Sequence, residues 1–246
     1  MRNIWTIARR EFKFIFSSPI AYVFLFVILL TLGIFFYLDV LYAVDSMQFV
    51  PSYQRTFQLL AFPLLFLAVP ALTMRSVAEE NKMGTLELML TAPVKDWEFI
   101  IGKWFGSFLF FLTVIATTII YPLILNSITQ PGIDQPSLMV GYLGVILLTS
   151  SLCAIGVYVS SLFNNPIAAL FASLGLVILL WVIGAPAQVT QGVSADIFRY
   201  LSLSEHFYTN FLNGIVSLED VIYYLSLTAI GLFLGTVSLE FRRVRL

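Results

Sequence analysis

Charge is scarce in this chain. Only 11% of its 246 residues are Asp, Glu, Lys or Arg, whereas soluble domains usually contain about 25%. Hydrophobic residues make up 59% of the chain, and they occur in runs long enough to cross a bilayer, which takes roughly 20 residues of helix. A water-soluble globular fold is therefore excluded. The net charge of −1 gives no basis for binding nucleic acid.

Cysteine and histidine each occur once. Cys153 cannot form an intrachain disulfide or a thiolate metal site by itself, and we predict that it is a small buried hydrophobe. His206 has no second histidine as a metal partner, and the adjacent Glu205 points elsewhere on a helix. These facts favour packing or hydrogen bonding of His206 over catalysis or metal binding.

Ionisable residues are also missing from the predicted span interiors, since Asp39 lies near the outer end of the first span and Glu240 follows the last. Proton-coupled carriers usually need such buried residues, although a sodium site built from carbonyl oxygens stays open. A phosphate-binding loop is missing because Gly102-Lys103 is followed by Trp104. No catalytic pair or metal cluster suits intramembrane proteolysis. We therefore predict that the chain is not an enzyme and that its energy arrives from another subunit.

Six apolar blocks predict an all-α integral membrane protein with a single transmembrane domain over residues 1–246. Within a few residues at each edge, the blocks cover 20–41, 57–74, 101–125, 138–162, 167–187 and 220–239. Continuous apolar runs favour helices, because barrel strands alternate apolar and polar residues. Pro63 and Pro70 in the second block predict a bend, since proline removes a backbone donor.

The basic residues indicate the orientation. Eleven of the thirteen Lys and Arg residues fall on the side that holds both termini, and only Arg55 and Arg199 fall on the other side. By the positive-inside rule, both termini and segment 75–98 are expected in the cytoplasm, in a multi-pass protein of the cell (inner) membrane.

The first residues predict an amphipathic helix over 2–17 that lies in the membrane interface. Trp5 and Phe12 belong to its apolar face, and Arg9, Arg10 and Lys13 belong to its basic face. The alternative is a basic flank that only sets the topology.

The largest polar element inside the apolar chain is segment 75–98. Thr85 after Gly84 suits a helix start, Glu87 suits the first turn, and Pro93 suits the stop. An apolar stripe consists of Met83, Leu86, Met89 and Leu90. The charges around it are Glu79, Glu80, Lys82 and Glu87. This pattern favours docking into a partner's groove, and the alternative is an ordinary solvated loop.

Segment 188–219 is longer than the roughly 12–15 residues expected of a plain connector. Its apolar residues recur at helical intervals, so we predict two short helices on the outer side that dip into the interface or re-enter the membrane. Candidate partner or gate residues there are His206, Phe207, Phe211 and Gly214.

The motif Gly84-Thr85-Leu86-Glu87, followed by Leu88-Met89-Leu90-Thr91-Ala92-Pro93-Val94, resembles the cytoplasmic segment of type-2 ABC exporter permeases. The interfacial helix, six spans and large last outer loop follow that family's order over essentially the whole chain. Residues 205–215 resemble the gliding-motility-associated branch of the family.

The resemblance implies a permease subunit of an ATP-binding cassette transporter. It implies a dimer with a second copy or a related permease, and a cytoplasmic ATPase subunit that binds ATP and Mg while this chain binds no cofactor. The implied coupling helix comprises Glu79, Glu80, Met83, Gly84, Thr85, Leu86, Glu87, Met89, Leu90 and Pro93. The substrate class would be amphiphilic or hydrophobic, exported or flipped. A second hypothesis is an ATP-driven mechanical or assembly complex that acts on an extracytoplasmic partner without transport.

Overall fold

The computed structural model describes residues 2–45, 54–61, 66–86, 94–129, 132–189 and 192–243, and the regular structure within these ranges is helical. In chain order, the α-helices are α1 (Arg2–Ser17), α2 (Pro19–Asp45), α3 (Gln54–Leu59), α4 (Phe66–Thr73), α5 (Ala78–Lys82), α6 (Asp96–Thr118), α7 (Ile120–Ile128), α8 (Gln135–Leu162), α9 (Pro166–Val182), α10 (Val193–Leu201), α11 (Leu203–Thr209) and α12 (Leu218–Arg243). Short 3-10 turns occupy Ala185–Gln188 and Phe211–Asn213.

Among the described residues, five helical stretches are long and apolar enough to cross a membrane. They are Pro19–Asp45, Asp96–Ile128, Gln135–Leu162, Pro166–Ala187 and Leu218–Arg243. They confirm five of the six predicted blocks and support a multi-pass membrane protein.

The second predicted span is represented by two helices, α3 and α4, on either side of residues 62–65. Pro63 lies outside the described residues, and Pro70 lies inside α4. A single continuous second span therefore stays a prediction.

Helix α8 forms the centre of the bundle and packs against α4, α6, α9 and α12. Small residues allow these close approaches. A Cβ atom on Gly231 of α12 would lie 3.1 Å from the Cβ of Ala154, which is tighter than ordinary van der Waals contact. Cys153 is fully buried here, which confirms its prediction as a small core residue.

Helix α1 packs along the first turns of α6. A Cβ atom on Gly102 would lie 2.7 Å from the Ile7 side chain, and one on Gly106 would lie 2.7 Å from the carbonyl oxygen of Ala8. The Gly102-x-x-x-Gly106 pair therefore lets the two backbones approach closely.

The predicted amphipathic helix over 2–17 is confirmed as a helix, but one of its faces is covered by protein. Ala8 and Ile15 are buried, whereas Trp5 is 57% exposed. Phe12 packs at the edge of the core, and Arg9 and Lys13 are exposed. Its position in the membrane interface stays a prediction.

Candidate functional site

Three buried charged side chains meet where α1, α5 and α6 come together. The ammonium of Lys103 lies 2.7 Å from a carboxylate oxygen of Glu11 and 2.7 Å from a carboxylate oxygen of Glu80. Arg10 reaches Glu80 from the edge at 2.6 Å, with a side chain that is 56% exposed. We call Arg10, Glu11, Glu80 and Lys103 the charge cluster. It joins the N-terminal helix, the polar segment and a membrane span.

The sequence places Lys103 at the cytoplasmic end of its span but does not predict that it is buried, and in the structure it is 2% exposed. Its partners are 92 and 23 residues away in sequence, so no local pattern shows the contact. The sequence carries one indication that Glu11 is buried. Glu11 falls three residues after Ala8 and four before Ile15, which puts an acid on the buried face of α1.

The position of Glu80 in the charge cluster changes the protonation of its carboxyl group. Burial raises the pKa of Glu80, and the opposing effect of the Lys103 ammonium is smaller. One carboxylate oxygen of Glu80 is buried without a hydrogen-bond partner among the described residues. Glu80 therefore takes up a proton more readily than an exposed glutamate does.

Helix α5 receives its N-terminal cap from another helix. The backbone N–H groups of Val77 and Ala78 donate to the Ser160 hydroxyl of α8 at 3.1 and 3.0 Å. The same hydroxyl donates to the carbonyl of Met74 at 2.9 Å. Helix α5 has no side-chain cap of its own at this end, so the span α8 fixes where α5 begins.

The C-terminal end of α5 is closed by Gly84 and Thr85. Gly84 has φ +68°, a left-handed conformation that ends helices and favours glycine. The Thr85 hydroxyl donates to the carbonyl of Glu80 at 3.1 Å. The structure thus places a helix before Gly84. Thr85 and Leu86, just after Gly84, are helical again, which agrees with the predicted helix start at Thr85. The rest of that helix stays a prediction, because Glu87, Met89, Leu90 and Pro93 lie outside the described residues.

Some of the described residues of the predicted docking surface are exposed, and others are buried in the protein. Met83 is 61% exposed, while Leu86 is 3% exposed and packs with Val77 and Ile100. Glu79 lies near Arg75 at the surface, but Glu80 turns inward to the charge cluster. Leu86 and Glu80 therefore attach the segment to the bundle and do not line an exposed surface, because each has a buried partner.

The outer-loop candidates lie at the opposite end of the bundle. The prediction of two short helices is confirmed as α10 and α11. Phe207 and Phe211 are fully buried, so their side chains are not available to a partner at the surface. Gly214 has φ +77° and ends the 3-10 turn. The role of these residues as a gate stays a prediction.

His206 is hydrogen-bonded, as predicted. Its Nδ1 lies 2.6 Å from Asp220 and its Nε2 lies 2.9 Å from the carbonyl of Tyr200. The sequence pattern did not identify Asp220, because it stands fourteen residues later, at the start of the last span.

The comparison with protein families returns one model, described as ABC-2 family transporter protein, that matches residues 45–239. A search of curated proteins finds no match to this chain. The family match covers most of the chain and includes α5, Lys103 and Ser160. It does not distinguish the gliding-motility branch, which stays a prediction. The chain therefore belongs to the ABC-2 transporter family, as the membrane permease subunit of an ABC transporter whose ATPase is a separate cytoplasmic subunit.

Proposed function

We propose that this chain couples ATP hydrolysis by its partner ATPase to export or flipping of an amphiphilic or hydrophobic substrate. The observation that carries the proposal is the attachment of α5. The charge cluster ties it to α1 and α6, and Ser160 ties it to α8. A displacement of α5 therefore reaches one N-terminal helix and two membrane spans together.

The attachment is strong enough to act as a rigid joint. Removing one partner from a buried ion pair costs about 3–5 kcal/mol. Lys103 makes two such contacts at 2.7 Å, and two buried backbone N–H groups depend on Ser160. Independent motion of α5 would break several of these contacts at once, so α5 moves with the helices that hold it.

The exposed surface at the C-terminal end of α5 supplies the contact with the ATPase. Met83 is apolar and 61% exposed, and Lys82 beside it is exposed. The excess of basic residues on this side supports a cytoplasmic position for this surface and for both termini, in a protein of the inner membrane. Thr85, Glu87, Met89, Leu90 and Pro93 continue this surface in our proposal.

The substrate pathway and the second permease are proposed to lie along α2 and α9. Only 17% and 22% of their most apolar stretches are buried within the chain. Phe26 on α2 and Phe171 on α9 are 62% and 68% exposed. Such faces suit lipid, a second permease, or an amphiphilic substrate passing between two permeases.

The test uses the purified permease–ATPase complex in lipid nanodiscs. Met83→Asp should weaken co-purification and lower permease-stimulated ATP turnover about tenfold or more, because an apolar anchor becomes a charge. Ile215→Asp is the control, since Ile215 is 55% exposed in the outer loop. Equal assembly and turnover in both variants would overturn the proposal.

The second candidate function is ATP-driven mechanical work on an extracytoplasmic partner. It is favoured by the exposed apolar face of α10, where Val193, Ile197 and Tyr200 are 76%, 54% and 46% exposed. Replacing the three with serine should abolish capture of that partner and spare the ATPase contact. Unchanged flipping of a labelled lipid by this variant would favour transport over mechanical work.

A further inference from the structure

The buried environment of His206 differs from that of an ordinary packed histidine, because both ring nitrogens face oxygen atoms. The side chain is 7% exposed on α11. Its Nε2 lies 2.9 Å from the carbonyl oxygen of Tyr200, at the end of α10. Its Nδ1 lies 2.6 Å from a carboxylate oxygen of Asp220, at the start of α12.

These contacts define where the protons are. A carbonyl oxygen only accepts, so Nε2 carries a proton. The contact between Nδ1 and Asp220 needs a second proton. Imidazole binds a proton on the order of 10²-fold more tightly than a carboxylate does in water, which places it on Nδ1. The other oxygen of Asp220 accepts from Asn210 at 2.8 Å, as suits an ionised carboxylate. A ring that carries a proton on each nitrogen satisfies both contacts together.

The surroundings of the ring are aromatic on one side and polar on the other. The Tyr223 ring lies parallel to the imidazole, with centroids 4.0 Å apart and an interplanar angle of 20°, so its electron-rich face meets the positive charge. His206 and Asp220 form the inner wall of a cavity of about 570 Å³. The other titratable groups facing this region are Glu205 of α11, Asp196, Arg199 and Tyr200 of α10, and Glu219 and Tyr224 of α12. Acids outnumber bases among them.

We propose that protonated His206 is a latch that holds the end of α10 against α11, and that loss of a proton from the ring releases α10. The latch is closed at low pH, where both ring nitrogens donate. As the pH rises, the ring keeps the proton on Nδ1, which faces the Asp220 carboxylate, and loses the proton on Nε2. A lone pair then faces the Tyr200 carbonyl oxygen across 2.9 Å, so that contact becomes repulsive. Helix α10 then separates from α11 and widens the cavity. This inference does not depend on the proposed coupling function.

The test exploits the single histidine of the chain. The full-length protein, purified without a histidine tag, is labelled with ¹⁵N in the imidazole. At about pH 5 the spectrum should show both ring nitrogens protonated, and at higher pH it should show the loss of one proton. A neutral imidazole at every pH would overturn the assignment.

Amide exchange of α10 tests the release itself. After correction for the intrinsic rate, exchange should rise about tenfold or more between about pH 5 and about pH 9, since a charge-assisted hydrogen bond is lost. His206→Gln should exchange quickly at both values. Glu205→Gln, on the same helix and beside the same cavity, should keep the wild-type pH dependence.

Two outcomes would contradict the latch. One is equal protection of α10 at both pH values in the wild-type protein. The other is a His206→Gln variant that folds and keeps the wild-type pH dependence. If His206→Gln does not fold, the wild-type spectrum and the wild-type exchange data are sufficient to test the latch.

Discussion

Lys103→Met removes the only ammonium from the charge cluster while keeping the length of the side chain. Glu11 and Glu80 then lie no more than twice 2.7 Å apart across the vacated position. Two like charges at that separation repel by about 3 kcal/mol at an effective dielectric constant of ~20. Glu80 keeps Arg10 as a partner, but Glu11 loses its ion pair. We expect a stability loss of about 3–5 kcal/mol.

The loss should depend on pH in a defined direction. Burial already raises the pKa of Glu80, and Lys103 opposes that rise. Without Lys103, the pKa of Glu80 rises further. The carboxylate form is therefore penalised in the folded state, and the stability of the variant should increase as the pH falls and Glu80 becomes protonated. The wild-type protein should show a weaker trend of the same sign.

The assay is the thermal unfolding midpoint in one detergent, followed by tryptophan fluorescence. The predicted loss corresponds to a fall of roughly 6–20 °C for a chain of this size. Lys82→Met is the matched control, because Lys82 is exposed on α5, and it should stay within ~2 °C of the wild type. Adding Glu11→Met to Lys103→Met should recover much of the loss, since no unpaired carboxylate then remains on α1. Equal midpoints for Lys103→Met and Lys82→Met would refute the reasoning.

Three further substitutions test the packing of α1 and α5. Gly106→Ala should lower stability by about 1–3 kcal/mol, because its Cβ would lie 2.7 Å from a backbone carbonyl oxygen. In contrast, Gly175→Ala, with no atom within 4 Å, should leave the unfolding midpoint unchanged or slightly raised. Ser160→Ala should cost about 1–3 kcal/mol and speed amide exchange at the start of α5, because two buried N–H groups lose their acceptor. Its control, Ser161→Ala, removes a bond within its own helix and should not speed that exchange. Gly84→Ala should cost about 1–2 kcal/mol by the same unfolding assay, from the left-handed backbone alone.

The five confirmed spans could be predicted from sequence because a bilayer requires a long apolar run, and such a run is visible locally. The helix of residues 2–17 could be predicted for a similar reason, since its faces repeat at 3.6 residues. The second span could not be confirmed in the same way. Pro63 lies outside the described residues and Pro70 lies inside α4, and the described helices α3 and α4 stand on either side of residues 62–65.

The charge cluster could not be predicted, because its pairs join residues that are distant in the chain. The sequence placed Glu80 and Leu86 on a docking surface by charge and apolarity alone. Both turn inward because Lys103 and the cluster around Ile100 lie behind them. The end of α5 could have been predicted from Gly84, which lies two residues after Lys82. A glycine at this position fits the end of one helix as well as it fits the start of the next. The burial of Phe207 and Phe211 could not be predicted, because an apolar helical face fits lipid, a partner and the core equally well.

The cap that Ser160 gives to α5 has a consequence for chimaeric transporters. A segment transplanted by sequence from this permease into a relative would carry α5 but leave its first hydrogen-bond acceptor behind, on a span more than eighty residues away. Under the proposed coupling function, exchange of ATPase specificity between permeases should therefore succeed only when α5, position 160 and position 103 are transferred together. The exchangeable unit is a set of contacts drawn from several parts of the chain.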